Sequence, residues 1–399
     1  MARRSRRAGK GSITSYTTKA GTRWRYQLWV PIDPEQPDEG ERQTGKAGYA
    51  TAADADDALT KAKNDAANGL KPNTEKVKLG PYAQTWLDGH RCEDSTREGY
   101  QRHITLHINP HLGTLAIRAI TASRIAKFYR DLETGGLGIN SIRKIHVTLA
   151  QILDAAVSDR HVLTNRARDK HAKPPTAKQI KAAQAEDTDY QAWTAQQLSA
   201  FLAWDRDVYT DELHPLWHLL AFTGMRRGEA LALRWTDVDL TEGRVTIRRA
   251  LDSSQTGKGT VKGTKTGSIR VVDIDPATVD VLKAHRAVRG SLTLGLARGD
   301  ALIFGKDNGQ PRSGNVVSGS WAHRIGKAQG KLGADTVPSL KLHGLRHTHA
   351  TLLIQAGESM KVVQERLGHA SISITMDVYA HVLPGAQKGA AARFASLLG

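Results

Sequence analysis

The chain has 399 residues, of which 39% are hydrophobic and 24% charged, a composition that excludes a disordered chain and predicts two or three folded domains. Lys and Arg number 57 against 40 Asp and Glu, which gives a net charge of +17. That excess predicts attraction to polyanions, of which nucleic acid is the commonest, and leaves open a basic ribosome-associated or membrane-surface protein.

The N-terminal region, residues 1–70, begins with a basic arm and continues as a small sheet. The arm, residues 1–10, has no apolar stretch behind it and is therefore not a secretory signal. Because no run of about 18 apolar residues occurs either, we expect a cytoplasmic protein without a membrane partner. β-branched and aromatic residues around a Gly-containing turn predict a hairpin over residues 11–30, with a third strand near 43–48 and a helix over 51–68.

Two arginines of this hairpin, Arg23 and Arg25, alternate with Trp24 and Tyr26. The alternation of cationic and aromatic side chains predicts a strand that presents Arg23 and Arg25 to DNA. Either these arginines read base edges in a groove, or they make only phosphate contacts that are independent of sequence.

The next region, residues 77–170, has helical periodicity throughout and predicts four or five short helices with polar outer faces. Its clearest apolar stripe has 3.6-residue spacing and consists of Ile142, Ile145, Leu149, Ile152, Leu153 and Ala156. Linkers are predicted on either side, at residues 71–73 and 169–189. Cys92 is the single cysteine of the chain, which excludes an intrachain disulfide and a cysteine-built zinc site.

The third region, residues 190–399, predicts a mixed α+β domain that is mostly helical. It opens at Thr194 with the spacing of a capping box, followed by helices over 213–223 and 226–234. Alternating apolar residues predict a strand over 244–251, and a flexible basic tip over 256–268 leads into a second strand at 269–274. The expected fold class is therefore multidomain and mainly α, with a small N-terminal sheet plus helix, a helical domain and the mixed C-terminal domain.

A phosphodiester can be cleaved without a metal when three demands are met. The dianionic, five-coordinate phosphorus must be stabilised, a nucleophile must be positioned, and an acid must protonate the departing oxygen. Arginine meets the first demand because its fork binds two phosphate oxygens and stays charged. A tyrosine is only roughly 0.1% ionised at pH 7, so it needs nearby positive charge to attack.

Four segments of the third region contain such a set of residues. The first reads Thr223-Gly-Met-Arg-Arg-Gly-Glu, and the second reads Thr264-Lys-Thr-Gly-Ser-Ile-Arg. The third reads His343-Gly-Leu-Arg-His-Thr-His, and the fourth runs from Leu367-Gly-His to Asp377-Val-Tyr-Ala-His. In order and residue type these segments resemble the four motif boxes of the tyrosine recombinase family, the phage-type site-specific integrases.

The resemblance implies an active site of six residues, namely Arg226, Lys265, His343, Arg346, His369 and Tyr379. Tyr379 would be the nucleophile, Lys265 the acid for the leaving 5′ oxygen, and Arg226 and His369 would contact the phosphate. Glu229 matches an acidic residue of the family that is usually structural. Gly344 departs from the family pattern, since many relatives carry an acidic residue there, and we expect only a local effect.

Some of these residues admit other interpretations. Lys258 or Lys262, in the same basic tip, could take the role of Lys265. Three histidines of the third segment suggest a metal cluster, namely His343, His347 and His349. Because no cysteine accompanies them and an arginine lies between them, no metal is expected. No Gly-x4-Gly-Lys-Ser/Thr motif occurs, so neither ATP nor another cofactor is expected.

The resemblance implies site-specific recombination that integrates and excises a mobile element through a 3′-phosphotyrosyl bond. The implied partners are double-stranded DNA attachment sites, a homotetramer on two such sites, and an excisionase or DNA-bending accessory proteins. Two alternatives remain open from sequence: a type IB topoisomerase, and a DNA-binding regulator that has lost catalysis. The extra N-terminal domain and the Leu-Gly-His-Ala segment favour a recombinase, and the complete catalytic set argues against the regulator.

Overall fold

The computed structural model of the protein describes residues 10–32, 40–70, 76–186, 192–252, 260–263 and 269–372, together with Met376 and Ala395. The chain divides into two compact units, Met1–Ile180 and Lys181–Gly399. The first unit contains the predicted sheet and helical region, and the second contains the four motif segments. The finer division at 1–70, 77–170 and 190–399 stays a prediction. Residues 1–9 of the basic arm and the linker at 71–73 lie outside the described residues.

The N-terminal sheet is antiparallel, with three strands in the order β1 (Gly11–Thr18), β2 (Gly21–Pro31) and β3 (Glu41–Tyr49). Helix α1 (Ala52–Ala67) packs on one face of it, where Leu28 and Val30 form a small core with Leu59. Successive side chains of a strand point to opposite faces, so Arg23 and Arg25 lie on the face that α1 leaves uncovered. The predicted hairpin, third strand and helix are confirmed.

The rest of the first unit is helical. Its helices are α2 (Leu79–Gly89), α3 (Asp94–His103), α4 (Ala122–Thr134), α5 (Ile139–Ser158) and α6 (Ala177–Glu186). Helix α3 continues in wider π-type turns over Ile104–Gly113, and α6 extends past residue 180, where the first unit ends. The apolar stripe of α5 is buried at all six predicted positions, so this prediction is confirmed. Gly136, just past the end of α4, has a φ of +83°, a left-handed conformation that ends the helix.

Helix α6 corrects one prediction, because it lies inside the segment 169–189 that was expected to be a linker. The Ala, Lys and Gln residues of this segment have high helix propensity even without large apolar side chains. Thr176 and Gln179 also begin the helix with reciprocal hydrogen bonds, since Gln179 N donates to Thr176 Oγ1 at 3.3 Å and Thr176 N donates to Gln179 Oε1 at 3.0 Å. This is capping-box geometry that composition alone did not indicate.

The second unit is mainly helical. Its helices are α7 (Ala195–Trp204), α8 (His214–Thr223), α9 (Arg227–Leu231), α10 (Pro276–Leu292), α11 (Gly314–Leu332), α12 (Gly344–Gln355) and α13 (Met360–Leu367). The predicted capping box is present, with Thr194 and Gln197 as partners. Trp321 of α11 is buried in the core, and its ring lies 5.2 Å from that of Trp217 and 5.0 Å from that of Phe201. In the described part of the chain, no helix combines the length and apolarity needed to cross a membrane.

Two short sheets flank these helices. An antiparallel sheet has the order β4 (Val238–Asp239), β5 (Arg244–Ile247), β8 (Arg270–Asp273), and a separate ribbon pairs β6 (Arg249–Leu251) with β7 (Val261–Gly263).

The ribbon corrects the predicted strand pattern at residues 244–251 and 256–268. The strand expected over 244–251 is two strands, because consecutive residues Arg248 and Arg249 both bind the buried carboxylate of Asp237, at 3.0 and 2.6 Å. Two neighbouring side chains directed at one group break the strand alternation between β5 and β6. In addition, part of the tip expected to be flexible over 256–268 forms strand β7, which pairs with β6 and was not predicted.

Candidate active site

The turn between α8 and α9 delivers the first motif segment to the site. Gly224 has a φ of +62°, and a Cβ at this position would lie 2.7 Å from side-chain atoms of both His349 and Leu367. Only glycine therefore fits, because the left-handed backbone and the close packing both exclude a side chain. The carbonyl of Gly224 accepts a hydrogen bond of 2.8 Å from Nη1 of Arg346. The tight turn thus joins the first segment to the third.

Arg226, directly before α9, is held by the buried carboxylate of Glu229. Its backbone N–H donates to Glu229 Oε2 at 2.8 Å, and its Nη1 donates to Oε1 at 2.9 Å. Its Nη2 donates to the carbonyl of Gly368 at 3.3 Å. The Arg226 side chain nevertheless keeps 36% of its surface exposed, so a ligand can reach the guanidinium while its position is fixed.

A second arginine, Arg270 at the start of β8, binds the same carboxylate from the other side. Its Nη1 and Nη2 donate to Glu229 Oε1 and Oε2 at 3.1 and 2.6 Å, and its Nε donates to the carbonyl of Arg366 at 2.9 Å. Burial opposes ionisation of Glu229, but the bonds and charges of Arg270 and Arg226 outweigh it and hold the pKa of that carboxyl below its usual value. No role was predicted for Arg270, although this residue ends the segment that carries Lys265.

The third segment forms the start of α12. His343 precedes the helix and is exposed, whereas Arg346 is only 3% exposed. Both line a cleft of about 920 Å³, together with Arg226 and residues 250–252 at the end of β6. The cleft therefore brings together three of the six predicted site residues.

His369 joins them from the turn after α13. Gly368 has a φ of +66° and ends the helix, and the backbone of His369 is fixed by two bonds to Gln364, at 2.9 and 3.1 Å. Burial, together with the positive charges of Arg346 and Arg226, lowers the pKa of His369 to about 4. The carbonyl of Gly368, directly before His369, accepts the 3.3 Å hydrogen bond from Arg226, which places this turn beside the first segment. All four predicted residues that the structure describes are thus gathered in one place.

Other parts of the third segment have packing roles. His349 is buried, its Nδ1 lies 3.0 Å from the carbonyl of Ala221, and burial lowers its pKa to about 4. A Cβ at Gly344, the departure from the family pattern, would lie 2.5 Å from Leu340, whose side chain occupies that space. Among the residues that the structure describes, no group of three His, Cys, Asp or Glu could hold a metal ion.

Lys265 and Tyr379 lie outside the described residues, as does Lys258. Strand β7 ends at Gly263, two residues before Lys265 in sequence. Lys262, the other alternative acid, pairs at 2.9 Å with Asp252, whose side chain is 5% exposed. An ammonium held by a buried carboxylate is less suited to give up a proton, so this pair disfavours Lys262 as the acid.

Comparison with known proteins agrees with the geometry. The sequence model described as the phage integrase family matches residues 193–385, and the phage integrase N-terminal SAM-like domain matches residues 78–132. The chain is 29% identical over 318 residues to the ICEBs1 integrase of Bacillus subtilis, and this match covers 77% of this chain and 80% of the relative.

Solved structures share the fold. The Tn1549 transposon integrase, in complex with transposon right end DNA, matches with a TM-score of 0.67 and 20% identity, covering 81% of this chain and 100% of the other. The lambda integrase tetramer bound to a Holliday junction matches with a TM-score of 0.57 and 18% identity, covering 94% and 96%.

The fold and the motif segments define a multidomain DNA strand-exchange enzyme. The two family matches together cover more than half of the chain, and the chain belongs to the phage integrase family of tyrosine recombinases. It is a site-specific DNA recombinase of the integrase class. This assignment favours the recombinase over the topoisomerase alternative.

The lowered pKa of His369 predicts a neutral histidine in the free protein. The pKa of His369 is about 4 in the folded state and about 6.5 in the unfolded chain, so the unfolded state binds more protons between these two values. The contribution of His369 therefore lowers the free energy of unfolding as the pH falls from about 6.5 to about 4. An NMR titration of labelled histidine, with His369→Gln to assign the signal, should show no protonation of His369 from about pH 8 to 6. A midpoint near 6.5 would mean that neither burial nor the two arginines act on this ring as described.

Proposed function

We propose that this recombinase cleaves each strand of its DNA site by attack of the Tyr379 phenol oxygen on the scissile phosphorus. The observation that carries the proposal is the convergence of Arg226, Arg346 and His343 on one cleft, with Arg226 also bonded to the carbonyl directly before His369. Cationic or hydrogen-bonding groups from three motif segments form a binding place for one phosphate. Such a group of fixed donors stabilises the extra negative charge that develops on the phosphate oxygens in the transition state.

The proposed step balances without an added cofactor. The bond from the Tyr379 oxygen to phosphorus forms as the bond from phosphorus to the 5′ oxygen breaks. The phenol proton passes to a neighbouring base, for which the exposed His343 is suited, and Lys265 gives a proton to the departing 5′ oxygen. The 3′-phosphotyrosyl bond retains the energy of the phosphodiester, so that the 5′-hydroxyl of a partner strand can reverse the step without ATP. The arginines provide the positive charge that a metal supplies in other phosphoryl-transfer sites.

The partners follow from this chemistry. Exchange between two duplexes requires two double-stranded attachment sites and four active sites, and we propose a homotetramer on two DNA sites. The structural relatives support this arrangement, since one is described with transposon end DNA and another as a tetramer on a Holliday junction. The proposal places the protein in the cytoplasm with its DNA, and an excisionase or DNA-bending protein would set the direction of the reaction.

The N-terminal sheet supports a second DNA contact. Arg25 donates through Nε to Thr14 Oγ1 at 3.0 Å, and its guanidinium lies 5.9 Å from the centre of the Tyr16 ring. Tyr16 pairs directly with Arg23 across β1 and β2. The uncovered face therefore carries two arginines supported by neighbouring polar and aromatic side chains. We propose that this face binds DNA through Arg23 and Arg25.

Tyr379→Phe is expected to abolish covalent capture of DNA. The full chain would be mixed with nicked duplexes tiled from the DNA beside its coding region, and SDS-resistant complexes would be counted. Loss of one hydroxyl should change binding by less than about tenfold, because a hydroxyl hydrogen bond contributes about 0.5–1.5 kcal/mol. Tyr209→Phe, in the same unit, is the matched control and should be captured normally. Capture by Tyr379→Phe would assign the nucleophile elsewhere, and specific binding without capture by the native protein would favour the regulator.

Lys265→Ala is expected to slow cleavage by about 10²- to 10⁴-fold, the usual contribution of a general acid. A substrate with sulfur in place of the 5′ bridging oxygen should recover most of that loss, because a thiolate leaves without protonation. Single-turnover cleavage rates on the two substrates measure the effect. Lys262→Ala removes an equal charge three residues earlier in the sequence, in strand β7, and serves as control. If the sulfur substrate rescued Lys262→Ala instead, Lys262 would be the acid.

Replacing both Arg23 and Arg25 with Ala should weaken DNA binding and reduce its salt dependence. Each lost phosphate contact lowers the slope of log K against log salt by about 0.9, so the double variant should lose roughly 1 to 2 units. The control is the Arg42→Ala, Lys46→Ala double variant, which removes equal charge from residues paired with Val30 and Tyr26, on the helix-facing side. Equal losses in both variants would mean that general charge, and not the uncovered face, binds DNA.

A further inference from the structure

Arg270, at the start of β8, is bound to two other parts of the site although it does not line the cleft. Its side chain is 10% exposed and pairs with Glu229, which is 3% exposed. It also reaches the carbonyl of Arg366 at the end of α13. One buried guanidinium thus joins strand β8 to the start of α9 and to the end of α13.

The turn that carries His369 is packed onto the same guanidinium. A Cβ at Gly368 would lie 2.8 Å from Nη1 of Arg270 and 3.0 Å from its Cδ and Cζ. The Arg270 side chain therefore fills the space beside the glycine, and the carbonyl of Gly368 in turn accepts from Arg226. Displacement of Arg270 would remove the support of this turn.

Charge gives Arg270 a second effect. A buried carboxylate with a single arginine partner would neutralise that partner and hold it away from an incoming anion. Here Glu229 is shared between Arg226 and Arg270, so the group of three keeps a net positive charge. Arg226 is fixed by Glu229 while its attraction for phosphate is preserved.

We propose that Arg270 is a positioning residue for strand cleavage, which sets Arg226 through Glu229 and sets His369 through the Arg366–Gly368 turn. Arg270 does not touch the phosphate in this scheme. The inference rests on the proposed function, since it assumes that Arg226 and His369 hold the scissile phosphate.

The test uses Arg270→Lys and Arg270→Met in the full chain. Lysine keeps the charge but cannot bind both carboxylate oxygens and the Arg366 carbonyl in one plane. The matched controls are Arg244→Lys and Arg244→Met, because Arg244, on the neighbouring strand β5, forms an exposed 3.3 Å ion pair with Asp273 of β8. Single-turnover covalent capture would be measured on nicked duplexes that trap the native protein, with binding and thermal unfolding measured in parallel.

A second set of duplexes carries a methylphosphonate at the scissile position. Its transition state has one negative charge fewer, so it depends less on a correctly placed Arg226. On the ordinary phosphodiester, Arg270→Lys should cleave about 10- to 100-fold more slowly, the loss expected for misplaced charge-assisted hydrogen bonds, with binding nearly unchanged. On the methylphosphonate that defect should shrink to less than about threefold. The Arg244 variants should match the native protein on both substrates.

The outcomes separate the two proposals. An equal defect on both substrates would overturn the positioning role and leave Arg270 as a residue that only stabilises the fold. An unimpaired Arg270→Lys would also overturn it, while capture by the native protein would keep the proposed function intact. If Arg270→Met does not fold, the comparison of Arg270→Lys on the two substrates still tests the positioning role of Arg270. Absence of capture by the native protein on all duplexes would overturn the proposed function and this inference together.

Discussion

The buried carboxylate of Glu229 is the constraint on which the candidate site depends. An ionised carboxylate that is 3% exposed is costly unless cations and hydrogen-bond donors surround it. Arg226 and Arg270 together supply those partners, from the start of α9 and the start of β8. Because either arginine alone would leave the carboxylate under-satisfied, the two segments are held together. The position of Arg226 is therefore a consequence of the burial of Glu229 and not of helix α9, which is only five residues long.

In a site built from cations, the positive groups repel one another until an anionic ligand binds. In this chain the repulsion is reduced in two ways. Glu229 neutralises part of the charge, and His369 stays uncharged because burial and its arginine neighbours lower its pKa to about 4. Arg346, buried beside them, is anchored to the carbonyl of Gly224. The positive groups are thus fixed in advance, and little reorganisation is needed when charge develops on a bound phosphate.

The N-terminal sheet follows a different principle, since its two faces are separated by the alternation of the strands. Leu28 and Val30 are used for packing on α1, which leaves the opposite face without a core role. That face can therefore carry Arg23 and Arg25 without displacing a residue of this small core. Its affinity for DNA depends on the number of cations it presents, whereas the candidate active site depends on their placement to within a fraction of an ångström.

Local patterns in the sequence predicted several secondary-structure elements and the residue types of the candidate site. The hairpin of β1 and β2, the buried stripe of α5, the capping box at Thr194 and the four motif segments were all predicted, because each depends on spacing within a few residues. Helix α6 was not predicted, because the segment 169–189 has few large apolar residues and was interpreted as a linker in spite of the capping-box spacing at Thr176. The split between β5 and β6 was missed because it depends on Asp237, which lies outside the strand pattern.

Only the tertiary structure decided how the motif segments meet. The bond from Arg346 to Gly224 spans 122 residues, and the pair of Arg270 with Glu229 spans 41. Such partners are selected by the cost of leaving a buried charge or carbonyl unpaired, and that cost exists only after the chain has folded. The sequence therefore determined which chemical groups the site contains. The fold decided which of them reach the cleft and which, like Arg270, act from behind it.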